Sequence, residues 1–311
     1  MIITVTLNPA LDKTLVLSEL QLGKVNRVKA IRRDAGGRGL SVSKTVNALG
    51  GESVALCIIG GATGTYIRTQ LDSLGIEHDM VEIGSETRTN LMIVDNLNKT
   101  HTEILEPGAP IHQMALDEIL FALRSRARAG DIIVLAGTLP EGCKPDVYND
   151  IIRFAKSIDA LTYLDSDSET LALALSEKPD LIKPNKSEMA ALCNCDPEDD
   201  IAILQEVKKL VKNGVGSVLL SLGPYGAIYV SDSFCLRAQG LKVPVIGRSG
   251  AGDAMMAAMA LGEERGMSPK DRLKLAIAAA SAKITMAGTQ PPEAETVEEF
   301  LKEVVVTDML N

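Results

Sequence analysis

The run Ser249-Gly250-Ala251-Gly252-Asp253-Ala254-Met255-Met256 sets a carboxylate just behind small residues, at the mouth of an apolar stretch. Glycines at 250 and 252 let main-chain N–H groups approach an anion closely, and a helix starting there adds partial positive charge. Asp253, in the first turn, is placed to take a proton from an attacking hydroxyl. This combination suits phosphoryl transfer, in which negative charge spreads over the oxygens of the moving group. Gly250, Ala251, Gly252 and Asp253 are therefore the candidate catalytic set. The same aspartate also reads as a plain helix N-cap, and the segment alone leaves both readings open.

Such a turn must be delivered by strands and helices, and short β-branched runs alternate with longer amphipathic stretches along most of the chain. Ile2–Leu7, Ser53–Ile59, Asp131–Ala136, Leu161–Asp165, Leu181–Ile182 and Ser217–Ser221 read as buried strands. Helices are expected near Leu40–Leu49, Thr65–Leu74, Gln113–Arg128, Pro145–Ser157 and Ile201–Asn213. The alternation implies βαβ units and a mostly parallel, doubly wound sheet. Thr14–Arg33 and Thr87–Leu105 break the pattern with β-rich sequence and no helix. They could pair into a small second sheet over one end of the core, where a lid would sit. Ala251–Arg265, Pro269–Ala287 and Thr296–Val306 read as helices, so few strands are expected in the last third. The expected organisation is one α/β core, residues 1–12, 35–86 and 108–311, carrying a β-rich lid from 13–34 and 87–107.

Composition bounds the function. Of 311 residues, 46% are hydrophobic and 23% charged, enough for a large core. With four Phe, five Tyr and no Trp, that core is built from Ala, Val, Ile, Leu and Met, as in layered helix-on-sheet folds. A net charge of −9 repels nucleic-acid backbones and anionic lipids, so neither nucleic acid nor membrane is expected as a partner. An anionic substrate must be drawn in by a local basic pocket. The five cysteines show no C-x-x-C spacing and the three histidines stand apart from them, which argues against a zinc site or disulfide framework. The opening MIITVTLNPALDKT lacks the pattern of an export signal, and no apolar run approaches the roughly 18 residues of a membrane span. A cytoplasmic protein is expected.

Several segments in order resemble one family. Thr4-Val-Thr-Leu-Asn-Pro-Ala-Leu-Asp12, Ala35-Gly-Gly-Arg-Gly39, Gly60-Gly-Ala-Thr-Gly64, Glu86-Thr-Arg-Thr-Asn90, Ala136-Gly-Thr-Leu-Pro140, Ile182-Lys-Pro-Asn185, Ser221-Leu-Gly223 and Gly250-Ala-Gly-Asp253 follow the family's sequence of landmarks. The chain resembles the PfkB (ribokinase-type) carbohydrate kinases, in particular the branch of 1-phosphofructokinase and tagatose-6-phosphate kinase. The resemblance runs over essentially the whole chain. It implies a ribokinase-like three-layer α/β/α fold with a β-rich lid, ATP and Mg²⁺ as cofactors, Asp253 as the base, and a homodimer paired through the lids.

The resemblance also implies roles for further residues. Asp12 would bind sugar hydroxyls, although an aspartate after Asn8-Pro9 also reads as a turn residue. Gly36, Gly37 and Gly39 would let the backbone approach the sugar, and Ser41 stands where relatives usually carry Asn. Arg88, Arg38 (where the branch usually has Lys) and Arg27 would grip the substrate's existing phosphate; solvated lid arginines are the plain alternative. Asn185 and Glu188 match the N-x-x-E motif that organises Mg²⁺, often through water, and the same pair reads as a capping box. Lys183 would face the nucleotide phosphates. Ser221, Gly223 and Gly226 fit a nucleotide-side loop or a plain strand–turn–strand connection. No Walker A sequence is present, so the phosphate cradle must be the glycine helix end.

The implied activity is ATP-dependent phosphorylation of a ketose phosphate, fructose 1-phosphate to fructose 1,6-bisphosphate first, with tagatose 6-phosphate as the alternative acceptor. Ser41 and Arg248-Ser249 depart from the family's pattern and motivate a non-catalytic sugar-phosphate-binding relative as a third reading. A dinucleotide-binding oxidoreductase is disfavoured because no G-x-G-x-x-G follows the first strand.

Overall fold

The computed structural model describes residues 1–247 and 249–309. In chain order the elements are β1 (Ile2–Thr6), β2 (Ala10–Leu17), β3 (Ala30–Gly36), α1 (Arg38–Ala48), β4 (Ser53–Gly60), α2 (Gly61–Ser73), β5 (Glu77–Ile83), β6 (Thr89–Asp95) and β7 (Thr100–Ile104). These are followed by α3 (Gln113–Arg126), β8 (Ile132–Ala136), α4 (Val147–Ser157), β9 (Leu161–Asp165), α5 (Ser168–Ala174), β10 (Leu181–Ile182), α6 (Lys186–Cys193) and α7 (Asp200–Lys212). The last elements are β11 (Ser217–Ser221), β12 (Ala227–Ser231), β13 (Cys235–Ala238), α8 (Ala251–Glu264), α9 (Pro269–Ile284), α10 (Ala294–Glu303) and β14 (Val306–Asp308).

Among the described residues the strands form a ten-stranded sheet, ordered β14-β13-β12-β11-β10-β9-β8-β1-β4-β5, and a separate four-stranded sheet, ordered β3-β2-β6-β7. From β5 to β11 every pairing in the large sheet is parallel. Its central strands are buried on both faces because their residues alternate between two cores. Ile3, Val5, Ile133 and Leu135 point to one side, where α3, α4 and α7 pack, whereas Ile2, Ile132, Val134 and Ala136 meet α8 and α9. Residues 253–262 of α8 are all buried, which explains why that helix is apolar all round. The layered α/β architecture and the small second sheet are those expected.

Differences lie at the sheet's edges. β5, with the sequence EHDMVEI, buries only Val81 and lacks the apolar run of an inner strand. At the opposite edge β12, β13 and β14 add antiparallel strands to a region expected to be mostly helical, and α10 ends at Glu303 so that Val306 begins β14 instead of closing a helix. In the second sheet the strands reach Ala10 and Gly36, beyond the 13–34 span expected for the first lid segment. No helix among the described residues is long and apolar enough to cross a membrane.

Ile133 is fully buried in β8 between the flanking helices. Ile133→Ala should lower unfolding free energy by about 2–5 kcal/mol, read from the denaturant midpoint; a loss under about 1 kcal/mol would contradict this packing.

Candidate active site

At the start of α8, Gly250 adopts φ 85° and ψ 1°, a left-handed conformation that a side chain would strain. Gly250 is the N-cap, and the first intrahelical bond runs from the Ala254 N–H to its carbonyl at 2.9 Å. Asp253 therefore does not cap the helix; it sits buried in the first turn and lines a cavity of about 410 Å³. Space is tight there as well. A Cβ on Gly252 would lie 2.9 Å from Lys183 Nζ, and one on Gly250 would lie 3.0 Å from Lys283 Cε.

The C-terminal ends of the parallel strands supply the same cavity. Asn8 follows β1, Gly137 and Thr138 follow β8, Asp165 ends β9, and Lys183 follows β10. This is where open parallel sheets place ligands. Asp165, only 4% exposed, receives Lys183 Nζ at 2.9 Å and Arg38 Nη1 at 3.2 Å. Burial pushes the Asp253 carboxyl up to about 6, and the nearby charge of Asp165 adds to the rise; Arg38, Lys183 and Lys44 pull the other way.

The second sheet forms the opposite wall. Asp12 on β2 pairs in register with Asn90 on β6, whose Nδ2 donates to Asp12 Oδ1 at 3.0 Å. Burial raises the proton affinity of Asp12 against the pull of Asn90 and Lys44. Gly36 leaves the room this carboxylate fills, since a Cβ there would fall 2.1 Å from Asp12 Oδ2. Arg88 donates Nη1 to the Glu106 carbonyl at 2.9 Å and Nη2 to the Asn8 carbonyl at 3.0 Å, while its Nε–H is buried without a partner. A guanidinium has five N–H groups, so donors remain for an anion. Across the mouth, Ser249 Oγ donates to Glu103 Oε1 of β7 at 2.6 Å.

Among the expected residues, Gly250, Gly252, Asp253, Asp12, Gly37, Arg38, Ser41, Arg88, Lys183, Asn185 and Glu188 all line this one cavity. Asn185 and Glu188 also form the capping box of α6: the Asn185 side chain accepts from the Glu188 N–H and the Glu188 carboxylate from the Asn185 N–H, each at 2.8 Å.

The other expected residues fall outside the lining. Ala251 begins α8, and Gly36 acts behind Asp12. Gly39 packs α1 onto β1, where a Cβ would meet Thr6 Oγ1 at 2.2 Å. Arg27 is exposed in the 18–29 loop. Ser221, Gly223 and Gly226 make a strand–turn–strand connection between β11 and β12, next to the site through the Asn185–Ser221 bridge. Arg248 lies outside the described residues.

Residue patterns did not single out Asp165, Asn90, Lys44 or Lys283. Asp165 carried a signal, a carboxylate closing a parallel strand. Lys44, fully buried, donates to the Thr289 carbonyl at 2.9 Å and to the Ala35 carbonyl, and burial lowers its proton affinity.

No group of three or more His, Cys, Asp or Glu side chains among the described residues is arranged to hold a metal. Magnesium keeping most of its waters and taking phosphate oxygens needs one or two carboxylates, and Glu188 on the cavity wall fits that lesser demand.

Comparison with known proteins places the chain in a family. The model of the pfkB family carbohydrate kinases matches residues 5–296. The chain is 32% identical to the tagatose-6-phosphate kinase of Staphylococcus epidermidis over 99% of this chain and 100% of that one. It is 34% identical to the 1-phosphofructokinase of Haloferax volcanii, covering 96% and 95% of the two chains. The crystal structure of phosphofructokinase-2 from Escherichia coli in complex with substrates and products superposes with a TM-score of 0.93 at 27% identity, covering 97% and 98%.

The Asp253 carboxyl is expected to titrate near pH 6. Asp165→Asn removes the neighbouring negative charge, so that midpoint should move down. Carboxyl-carbon NMR titration of both proteins measures it; an unchanged or higher midpoint in the variant would show that Asp165 does not hold it up.

Proposed function

The chain belongs to the pfkB family of carbohydrate kinases, and on that premise we propose that it moves the γ-phosphoryl group of ATP onto a hydroxyl of a ketose phosphate, fructose 1-phosphate first. The observation that carries this reading is Asp253: a buried carboxylate in the first turn of a glycine-started helix, facing a cavity whose walls bear Lys183, Arg38 and Arg88. A base needs a pKa near working pH, and burial raises this one to about 6, so it stays mostly ionised at neutrality.

The roles follow from position. Asp12, fixed by Asn90, accepts hydrogen bonds from sugar hydroxyls and orients the acceptor. Arg88 takes the phosphate already on the sugar, helped by Arg38. Asp253 takes the proton of the attacking hydroxyl, while N–H groups at Gly250–Gly252 meet the charge of the transferring group. Lys183 and Asn185 face the nucleotide phosphates, with Ser221, Gly223 and Gly226 on the adjoining loop toward the rest of the nucleotide. Glu188 and Asn185 would hold magnesium, which would supply positive charge against the phosphate oxygens.

Tagatose 6-phosphate is the second acceptor, favoured by the similarity to the staphylococcal enzyme. ADP release measured across a panel of sugar phosphates separates the two, and saturable binding without ADP release would establish instead a non-catalytic binding protein. Asp253→Asn should cut turnover by about 10²–10⁴-fold and leave ATP binding intact. A loss below about tenfold would remove Asp253 from the role of base.

A homodimer through the second sheets completes the reading. Ile31 on β3 and Ile104 on β7 are exposed, as are Leu22, Val25 and Leu97 in the adjoining loops. Pairing these sheets would cover apolar surface that water otherwise faces. Light scattering should give twice the chain mass for wild type and a monomer for the Val25→Asp, Ile31→Asp double variant; a monomeric wild type would end this part of the proposal.

A further inference from the structure

The glycine helix end is flanked by two lysines, and the roles above use only one. Lys183 reaches Gly252 from one side and is paired with Asp165 at 2.9 Å. Lys283, near the end of α9, reaches Gly250 from the other, with its Cε 3.0 Å from where a Cβ would stand. Lys283 is 2% exposed. Its Nζ donates to the neutral Gly288 carbonyl at 2.9 Å, and no carboxylate among the described residues lies within ion-pair distance. A buried ammonium held by a neutral acceptor costs stability, and an apolar side chain of similar volume would serve the fold better. Its place therefore calls for an explanation outside packing.

We propose that Lys283 is a positioning residue for phosphoryl transfer: its ammonium, anchored on Gly288 beneath Gly250, fixes the glycine turn and adds through-space positive charge to the helix end that receives the phosphoryl group. The inference rests on the kinase reading above. Gly288 itself lines the cavity, so the lysine pins the turn that follows α9, with its stem lying against Gly250 at the start of α8. Gly288 is also hemmed by the second sheet, where a Cβ would lie 2.8 Å from Asp34 Oδ2. Burial brings the Lys283 ammonium down to about 8, and the charge of Lys44 on α1 acts in the same direction. Asp253 on α8 and Asp34 on β3 oppose that fall, and Arg32 on β3 adds to it. The group thus remains charged at neutral pH.

The test uses the full chain, with ADP release measured on the best substrate of the panel and thermal unfolding run in parallel. Lys283→Met should lower kcat on the order of tenfold to a hundredfold, change the sugar-phosphate KM less than about threefold, and leave the melting midpoint unchanged or higher. Lys283→Ala opens space beneath Gly250; ammonium chloride should restore part of its kcat, and tetramethylammonium chloride at equal ionic strength should not. A Lys283→Met kcat within about twofold of wild type would overturn the proposal, as would an Ala variant responding alike to both salts. Variants that do not melt cooperatively would make Lys283 a stability element and overturn it too. A wild type that releases no ADP from any sugar phosphate would sink the kinase reading itself. With the kinase reading intact, Asp253→Asn stays inactive in either salt.

Discussion

Two absent side chains at the start of α8 set the terms for the whole site. At Gly250 and Gly252 the backbone comes close enough to lysines 283 and 183 that a methyl group on either would crowd the lysine side chain. That closeness brings two ammonium groups to a helix end already electropositive from its unpaired N–H groups. In a chain of net charge −9 it creates the local positive field an anionic substrate requires. Asp253 lies inside this field. Desolvation and Asp165 together would drive it toward the protonated, inert form; Arg38, Lys183 and Lys44 hold it near 6. The cations that line the cavity thus also keep Asp253 ionised.

The two sheets divide the work. The large sheet offers its strand ends, and because β1 pairs with β4 on one side and β8 on the other, the chain winds outward in both directions and leaves a crevice there. The small sheet brings Asp12 and Asn90 side by side through the parallel β2–β6 register. Neither sheet alone encloses the cavity. The Ser249–Glu103 hydrogen bond and the Arg88 contacts with the Asn8 and Glu106 carbonyls tie the two walls together.

The inner strands were legible because burial on both faces demands continuous β-branched and aliphatic runs, as in IITVT and IIVLA. The edges were not, since an edge strand such as β5 is half solvated and its sequence mixes charge with Val81. Asp253, Asp12 and the glycines announced themselves by residue type at turns. Lys44 and Lys283 did not, because a lysine within a helix reads as solvent-facing, and its burial depends on tertiary partners, here the Thr289 and Gly288 carbonyls. The Asn185–Glu188 pair shows that two readings of one motif can hold together: it caps α6 and lines the cavity.

The charge pattern bears on whether the pocket binds or reacts. A protein that only held a sugar phosphate would gain from lysines and arginines and lose from a carboxylate beside them, because a buried negative charge repels the anion it is meant to keep. Asp253 stands within that set of cations, desolvated, with its proton affinity raised and with Asp165 adding to the repulsion. Such a group weakens binding and strains the fold, yet it is what a reacting hydroxyl needs at the moment it loses its proton. The arrangement therefore supports transfer over storage, and Ser41, which lines the cavity with a hydroxyl, leaves that logic intact.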